Sequence, residues 1–294
     1  MSRHLVVVNP AAGRGRVRRE WPGLAAQLRA AGIAFDVAET HAPGEGMRHA
    51  EGAARDYDAV IAAGGDGTVH EVVNGLMRAG GGAALGVLPL GSGDDFAKML
   101  SPGDAIERLA RGTVRLMDVA RMRCDGATRW FANGMDIGFG AHAARNVRRV
   151  PAFLTGLGAY VGALAITLLR YPRLEVRLQL DAEPPFTQAT TMTAVMNGCA
   201  FGGSFHVCPG ARADDGFLDL LIAQRVGRLA ILGLVPKIMR GTHADDPRLR
   251  LARARRVLIE SDDPLLVEAD GEIVFENARR LEIEVLPGAL RVLD

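Results

Sequence analysis

The chain has 294 residues, of which 48% are hydrophobic, and its 35 Lys and Arg against 34 Asp and Glu leave a formal net charge of +1. This length and composition predict about two globular domains, and the balanced charge gives no overall field for nucleic acid, so we expect no nucleic-acid partner. The three cysteines form no CxxC pair, which excludes a disulfide framework and ordinary zinc-ligand spacing and favours the reducing cytoplasm.

The first part of the chain alternates between strand and helix patterns. Buried or alternating apolar runs predict strands at 4–9, 33–37, 58–63 and 85–88, and apolar residues at helical spacing predict helices at 17–28, 47–55 and 69–77. Such alternation is typical of a parallel sheet covered by helices.

The pattern changes after about Val114, where candidate strands follow one another. We predict strands at 114–123, 129–134, 174–180, 190–197, 217–223, 255–261, 265–269 and 281–285, interrupted by helical pieces at about 140–169 and 226–240. The second part is therefore predicted to be a mainly antiparallel β domain with inserted helices, and the linker lies near 112–125.

One uncharged segment, 151–169, is flanked by Arg148, Arg149 and Arg170. Its length approaches that of a membrane-spanning helix, but its proline, glycines and threonines make it only moderately apolar. A buried helix, or one that touches a membrane, is favoured over a span. The N-terminal run of four apolar residues at 5–8 is too short for a signal peptide.

Three turns in the first part follow one design of strand, glycine-rich turn and helix. They are Asn9-Pro10-Ala11-Ala12-Gly13, Gly64-Gly65-Asp66-Gly67-Thr68 and Gly91-Ser92-Gly93-Asp94-Asp95. The carboxyl ends of parallel strands share one edge of a sheet, and glycine admits positive φ and close approach of a phosphate. Each turn alone is better explained as a tight connection, but three on one edge, two of them carrying Asp, favour phosphates bridged by Mg²⁺ through Asp66 and Asp95.

Several rival motifs are absent or incomplete. No Lys follows a Gly, so there is no Walker A loop, and His70-Glu71 lacks the second His of HExxH. The GxGxxA match at 138–143 has no acidic residue about 20 positions later, as a dinucleotide site needs. No GxSxG elbow occurs.

Taken together, the motifs resemble the diacylglycerol kinase catalytic-domain family. GGDGT at 64–68 is shared with NAD kinases, but the opening at 9–13 matches NPxxG and 91–97 matches G[ST]xNDFA of the lipid kinases. In the second part, 209–219 follows PxAxxxDGxLD and 268–272 matches the DGE segment. The resemblance spans nearly the whole chain in the right order.

The resemblance implies an ATP-dependent kinase that phosphorylates a lipid hydroxyl such as that of diacylglycerol. It implies a Rossmann-like parallel-sheet domain at 1–120, with 283–294 as a candidate completing segment, and a mainly antiparallel β-sandwich domain for the lipid acceptor at 121–282, with ATP between them. The implied nucleotide-binding residues are Asn9, Pro10, Ala11, Ala12, Gly13, Thr40, Gly65, Asp66, Gly67, Thr68, Val69, His70, Glu71 and Ser92.

The same resemblance implies the chemistry of the acidic residues. Asp66, Asp95 and Asp118 would organise catalytic Mg²⁺ and water, and Asp270 would accept the proton of the acceptor hydroxyl. Asp215, with the carbonyls of Arg212 and Phe217, would hold a structural Mg²⁺. Judged without the family, Asp270 and Asp215 fit hairpin turns better, Asp118 fits a carboxylate that caps backbone N–H groups equally well, and Thr40 fits an ordinary loop residue.

One position departs from the family pattern, because Asp94 stands where Asn is usual. It adds negative charge beside the phosphates, and it leaves open a non-catalytic nucleotide or lipid sensor. A kinase for a soluble acceptor such as NAD is the other alternative to a lipid kinase.

Two basic runs bear on where the protein acts. Arg145, Arg148 and Arg149 precede the uncharged segment and fit either an anionic membrane surface or a solvated face, whereas the arginines at 248–256 favour the wet face of a strand. We expect a cytoplasmic protein peripheral to the inner face of the membrane. The identity of the lipid and the existence of a homodimer stay open.

Overall fold

The structure is a computed structural model that describes residues 3–147, 149–150, 156–169, 174–203 and 205–294. The chain divides into two compact units. The first unit comprises Met1–Asp118 and Gly288–Asp294, and the second unit comprises Val119–Pro287.

The first unit contains a parallel sheet with helices between its strands. Its elements are β1 (His4–Val8), α1 (Ala12–Ala30), β2 (Phe35–Glu39), α2 (Glu45–Ala53), β3 (Ala59–Gly64), α3 (Asp66–Arg78), β4 (Ala84–Pro89) and α4 (Ala105–Arg111). The strand order is β2–β1–β3–β4, all parallel, with Val6 opposite both Val37 and Ile61. The end of the last strand of the chain places Val292 beside Leu85 and runs in the same direction.

The core of the first unit explains the parallel arrangement. β1 and β3 are buried along their whole length, so both faces of the sheet are covered, as continuous apolar runs predict. Val17 and Leu28 of α1 pack with Ile61 in this core. The short helix α4 was not predicted, although Asp104 is an N-cap signal: its Oδ1 accepts the N–H groups of Ile106 and Glu107 at 2.8 and 3.1 Å.

The second unit is built on antiparallel strands. The elements that follow α4 in the chain are β5 (Val114–Cys124), β6 (Ala127–Phe131), β7 (Gly134–Gly138), α5 (Phe139–Val147), α6 (Gly156–Leu169), β8 (Leu174–Leu180), β9 (Phe186–Met196), β10 (Leu218–Gln224), α7 (Arg228–Met239), β11 (Leu249–Ala254), β12 (Arg256–Ala269) and β13 (Glu272–Leu293). β10 pairs with β9 and β11, β7 with β9 and β12, β8 with β9 and β12, and β12 with β13.

The predicted two-part organisation, with mixed α/β content and many antiparallel strands, is confirmed. Besides α4, the strand β7 was not predicted, and several other elements differ in length. The strands predicted at 255–261 and 265–269 are one strand, β12, whose register shifts between Glu260 and Leu265. The strand predicted at 281–285 is the middle of the much longer β13. A shift of register breaks the period-two pattern that sequence reading relies on.

The uncharged segment forms α6 over its described part, Gly156–Leu169. Thr167 is buried and accepts a hydrogen bond from Nδ2 of Asn146 on α5 at 3.0 Å, whereas Leu169 is 67% exposed. Arg148, Arg170 and 151–155 lie outside the described residues. Within the described ranges, no helix combines the length and hydrophobicity needed to cross a bilayer.

Candidate active site

The three glycine-rich turns lie at the carboxyl ends of β1, β3 and β4, which are neighbours in the parallel sheet. Backbone hydrogen bonds connect them: the N–H of Asn9 donates to the carbonyl of Ala63 at 3.1 Å, and that of Leu90 to Gly64 at 2.8 Å. The predicted placement of the turns on one edge of the sheet is therefore confirmed. The helix expected after the third turn is only a single 3₁₀ turn, Phe96–Met99.

The second and third turns touch each other at two glycines. A Cβ on Gly91 would lie 2.6 Å from the Cα of Gly65, and a Cβ on Gly65 would lie 3.0 Å from the Cα of Gly91. Neither glycine has positive φ, so close backbone approach, rather than a left-handed conformation, requires glycine at these two positions.

The first turn uses glycine differently. Gly13, Arg14 and Gly15 have φ of 57°, 56° and 80°, so the chain passes through a left-handed bend before α1 becomes regular. Asn9 holds the bend, because its Oδ1 accepts the N–H of Ala11 at 3.1 Å while its Nδ2 donates to Oγ1 of Thr68 at 3.2 Å. The side chain of Asn9 therefore connects the first turn to the second.

Three carboxylates gather where the second and third turns meet. Asp66 Oδ1 accepts the N–H of Phe96 at 3.2 Å, and Lys98 Nζ donates to Asp95 Oδ1 at 2.6 Å. Burial, and next the charge of Asp95, raise the pKa of Asp66 to about 6, with a smaller contribution from Asp94. The groups around the cluster do not fully compensate its negative charge. A bound cation would supply the missing positive charge.

This cluster fits a magnesium ion shared with a nucleotide. Mg²⁺ in nucleotide sites is held by one or two carboxylates together with phosphate oxygens and water. Within the described ranges, no group of three or more His, Cys, Asp or Glu side chains is arranged to hold a metal by itself. A metal at Asp66 and Asp95 would need further ligands from a bound molecule or water.

The unusual Asp94 has a structural role in the third turn. Its φ is 48°, in the left-handed region where Asn and Asp are tolerated, and its Oδ1 accepts the N–H of Gly91 at 2.9 Å. Burial raises the pKa of Asp94, while the Gly91 N–H opposes that shift. An Asn would adopt the same conformation and accept the same bond, so Asp94 preserves the turn and differs only in charge.

Several other residues predicted to bind the nucleotide have side chains that are buried or hydrogen-bonded within the protein. Thr68, Val69 and His70 are buried on α3, and the N–H groups of Thr68 and Val69 both donate to the carbonyl of Gly65, at 2.9 and 3.1 Å. Glu71 commits both oxygens to α2, because Oε1 accepts the N–H of Gly44 at 2.7 Å and Oε2 that of Gly46 at 2.8 Å.

Two further predicted residues have backbone partners in the first unit. Thr40 extends the pairing of β2 with β1, because its N–H and hydroxyl donate to the carbonyl of Val8 at 2.9 and 3.4 Å. Asp118 is buried, and its Oδ1 accepts the N–H of Gly288 at 2.8 Å, which fixes the point where the C-terminal segment enters the first unit. Ser92, in contrast, is exposed.

Asp270 lies in the hairpin turn between β12 and β13. Asp270 and Gly271 have φ of 50° and 89°, between the paired residues Ala269 and Glu272, as a two-residue hairpin turn requires. The carboxylate accepts three backbone N–H groups of the loop between β6 and β7, at 2.9 to 3.1 Å; their donors are Ala132, Asn133 and Gly134. Asp270 thus holds that loop, and its role as proton acceptor stays a prediction.

In the predicted structural metal site at 212–217, the carboxylate of Asp215 is already paired with an arginine. Asp215 Oδ1 accepts the N–H of Phe217 at 3.1 Å, and its Oδ2 accepts a hydrogen bond from Arg253. The guanidinium of Arg253 also lies 4.5 Å from the centroid of the Phe217 ring. Because Asp215 is already paired with Arg253, magnesium binding at 212–217 would require that guanidinium to be displaced, and the metal site stays a prediction.

The second unit contains an apolar cavity that the sequence motifs do not reveal. It lies among α5, α6, α7 and the strands β9 and β10. Its lining includes Phe139, Leu164, Met192, Phe201, Phe205, Leu221, Val226, Ile231, Leu234, Val235 and Ile238. Sequence reasoning missed it because each of these residues fits an ordinary core position.

Comparison with known proteins agrees with this arrangement. Residues 3–122 match the family described as the diacylglycerol kinase catalytic domain, and residues 133–294 match the YegS C-terminal NAD kinase beta sandwich-like domain. A diacylglycerol kinase of Mycobacterium tuberculosis is 31% identical over 98% of this chain and 93% of its own length. A YegS-like lipid kinase of Xanthomonas euvesicatoria is 32% identical over 90% of this chain and 88% of its own.

A crystal structure of a Bacillus anthracis protein described as a diacylglycerol kinase superposes with a TM-score of 0.82 at 25% identity. The match covers 99% of this chain and 95% of that one. The two family matches together span nearly the whole chain, in the order that the sequence motifs predict. The chain belongs to the family of diacylglycerol kinases and YegS-like lipid kinases, which are transferases.

Proposed function

We propose that this protein transfers the γ-phosphoryl group of ATP to the hydroxyl of a membrane lipid such as diacylglycerol. The observation that carries the proposal is the contact of Gly65 with Gly91, which gathers Asp66, Asp94 and Asp95 at the ends of two parallel strands. In this proposal residues 1–120, completed from 283–294, are a Rossmann-like nucleotide-binding domain, and 121–282 bind the acceptor.

The first unit supplies the groups that hold a nucleotide. The 13-residue helix α3 begins at Asp66, so its N-terminal N–H groups and its dipole favour a phosphate at the second turn. Asp66 and Asp95 are the residues that would hold a magnesium ion there. When bound, Mg²⁺ neutralises charge that develops on the phosphoryl oxygens. Asn9, by joining the first turn to Thr68, fixes the spacing of the two turns around the phosphates.

Asp270 is proposed as the group that accepts the proton of the lipid hydroxyl. Its carboxylate is held in one orientation by three N–H donors, which removes the entropy of placing a catalytic side chain. The same donors occupy some of its lone pairs, so the proton must be accepted at a position that these bonds leave available.

The apolar cavity of the second unit favours a lipid acceptor over a soluble one. Its lining is almost entirely apolar, which suits an acyl chain rather than the charged groups of NAD. An acyl chain in this cavity would gain free energy in proportion to the apolar surface that it buries.

Helix α7 carries the features of a membrane contact. Ile231 and Leu234 face the cavity, whereas Leu229 and Leu232 are 84% and 55% exposed. Arg228 is also exposed, and its Nη2 donates to the carbonyl of the exposed Leu169 at 2.9 Å. Exposed leucines beside arginines suit the surface of an anionic bilayer, so we propose a protein peripheral to the cytoplasmic membrane face, with α7 as the contact.

The activity is tested by incubating the protein with labelled ATP, Mg²⁺ and a panel of dispersed lipids, with NAD as the soluble alternative. Label in a lipid product supports the proposal; label in NAD, or ATP binding without transfer to any lipid, contradicts it. Asp66→Asn should abolish transfer, and Asp56→Asn, which changes an exposed Asp of the same unit, should not.

The membrane contact is tested by sedimentation with vesicles that contain anionic lipid. Replacement of Leu229 and Leu232 by Gln should reduce binding, whereas replacement of Val37, another exposed apolar residue, should not. Equal binding of both variants would reject α7 as the contact.

A further inference from the structure

Two carboxyl groups of the second unit are buried opposite each other. Asp136 on β7 and Glu268 on β12 are register partners in an antiparallel pair, so their side chains lie on the same face of the sheet. Asp136 has no exposed surface, and Glu268 is 5% exposed. The proposed phosphoryl transfer assigns no role to either residue, although Glu268 opens the 268–272 match to the DGE segment.

The surroundings of Asp136 supply little compensation for a negative charge. Its two oxygens complete no hydrogen bond with any described residue. Burial raises the pKa of Asp136 well above its ordinary range. The N–H groups of Gly140 and Ala141, in the first turn of α5, lower this pKa by less than burial raises it. A Cβ on Gly140 would lie 1.9 Å from Asp136 Oδ2, so the carboxyl group lies directly against that turn.

Glu268 connects the pair to the turn that carries Asp270. Its Oε1 accepts the N–H of Gly271. Burial raises the pKa of Glu268, and the charge of Asp136 raises it further. Two carboxylates this close and this buried do not both ionise at neutral pH, and the first to ionise keeps the proton on the other.

The other charged groups around the pair do not neutralise it. Asp270 and Glu272 add like charge and raise the pKa of Glu268 further. On α5, burial and next the charge of Arg145 lower the pKa of His142 to about 4, so this imidazole is neutral at pH 7. On β9, the residue opposite Asp136 is the uncharged Ala194.

We propose that Asp136 and Glu268 are a positioning pair that shares one proton at neutral pH and keeps the Asp270–Gly271–Glu272 turn and the start of α5 in place for phosphorylation of the acceptor. The positioning role rests on the proposed function, whereas the sharing of a proton does not. Loss of the shared proton at alkaline pH places two like charges in the sheet beneath that turn.

Stability of the whole protein against pH tests the shared proton without any substrate. A carboxyl group whose pKa is raised by folding stabilises the protein fully below its unfolded pKa of about 4, and that stability is lost as pH rises through the folded pKa. The melting temperature of the wild type should therefore fall toward alkaline pH. Asp136→Asn and Glu268→Gln should flatten this fall, and Glu183→Gln, at an exposed site of the same unit, should not.

Kinetics test the positioning role. The kcat for the lipid acceptor should decline with the same alkaline limb in the wild type, and Asp136→Asn should move that limb to higher pH while the KM for ATP stays unchanged. Asp136→Ala should lower kcat by about tenfold, the factor equivalent to one pKa unit. If both amide variants keep the wild-type limbs in melting and in kcat, the pair is rejected. A flattened melting profile in a protein that phosphorylates no lipid would support the pair and reject only the proposed activity.

Discussion

The turns of the first unit are formed by backbone and charged groups, whereas the cavity of the second unit is formed by apolar side chains. In the turns, backbone groups, three carboxylates and two touching glycines leave little freedom of residue choice. In the cavity, more than ten apolar side chains from three helices, the strands beside them and the connecting segments form the lining. The first arrangement suits a charged ligand of fixed shape, and the second suits a flexible hydrocarbon chain.

The contrast explains what each region contributes to recognition. A phosphate is selected by the directions of N–H groups and by charge, so one added Cβ or one removed charge changes binding sharply. An apolar cavity discriminates weakly between similar chains, because each methylene changes the binding free energy by only about 1–3 kcal/mol. We therefore expect strict selection of the nucleotide and looser selection of the lipid.

The largest effect is expected at Asp270. Asp270→Asn removes the proposed proton acceptor and should lower kcat by about 10²- to 10⁴-fold, the usual contribution of general base catalysis. ATP binding, measured by calorimetry, should persist because the turns of the first unit are unchanged. Near-normal kcat in a folded variant would leave Asp270 with the loop-holding role alone.

The next effect is expected at the contact between the turns. Gly91→Ala places a Cβ 2.6 Å from the Cα of Gly65, which must push the turns apart at a cost of about 1–3 kcal/mol, as overpacking usually does. The KM for ATP should rise while that for the lipid stays constant, as initial rates at varied substrate would report.

The matched control for that variant is Gly52→Ala in α2. A Cβ there meets nothing within 4 Å, and alanine is the better helix former, so activity should be unchanged. A Gly91→Ala enzyme with unaltered KM for ATP would contradict the role assigned to the turns.

A smaller effect is expected in the cavity. Val235→Phe adds a ring to the lining and should raise the KM for a long-chain acceptor roughly tenfold, in line with the weak discrimination of apolar pockets. A short-chain acceptor and ATP should be affected less. Leu251→Phe, at an exposed position of β11 in the same unit, is the control; equal effects from the two variants would mean that the cavity does not bind the lipid.

The smallest effect concerns charge in the turns. Because the pKa of Asp66 is raised to about 6, kcat/KM for ATP should fall as pH drops below about 6, where the carboxyl group becomes protonated. Stability has the opposite dependence, since a raised carboxyl pKa favours folding at low pH and this advantage is lost as pH rises through about 6.

Asp94→Asn should shift that acid limb downward by roughly a few tenths of a pH unit, because the charge of Asp94 is a minor cause of the Asp66 shift. The turn should survive, since the amide oxygen accepts the Gly91 N–H in the same way. A collapse of activity would mean that the negative charge itself is needed.

The same contrast explains which features of the fold and the site the sequence predicts. The strands before the turns and the residues Gly65, Asp66 and Asp95 were predictable, because close backbone approach and buried charge admit few residue types. The cavity was not, since Val235 or Phe205 satisfies any apolar core. The three N–H partners of Asp270 and the register that places Asp136 opposite Glu268 depend on contacts over more than 130 positions, which local patterns do not encode.

If ATP and the lipid are bound by separate parts of the chain, a variant of one part should leave the KM for the other substrate unchanged. We would measure the KM for ATP and for a long-chain diacylglycerol in Gly91→Ala and in Val235→Phe. We expect a crossed pattern, in which the first variant raises only the KM for ATP and the second only the KM for the lipid. Equal changes of both constants in both variants, or no change in either, would show that the turns and the cavity do not bind the two substrates separately.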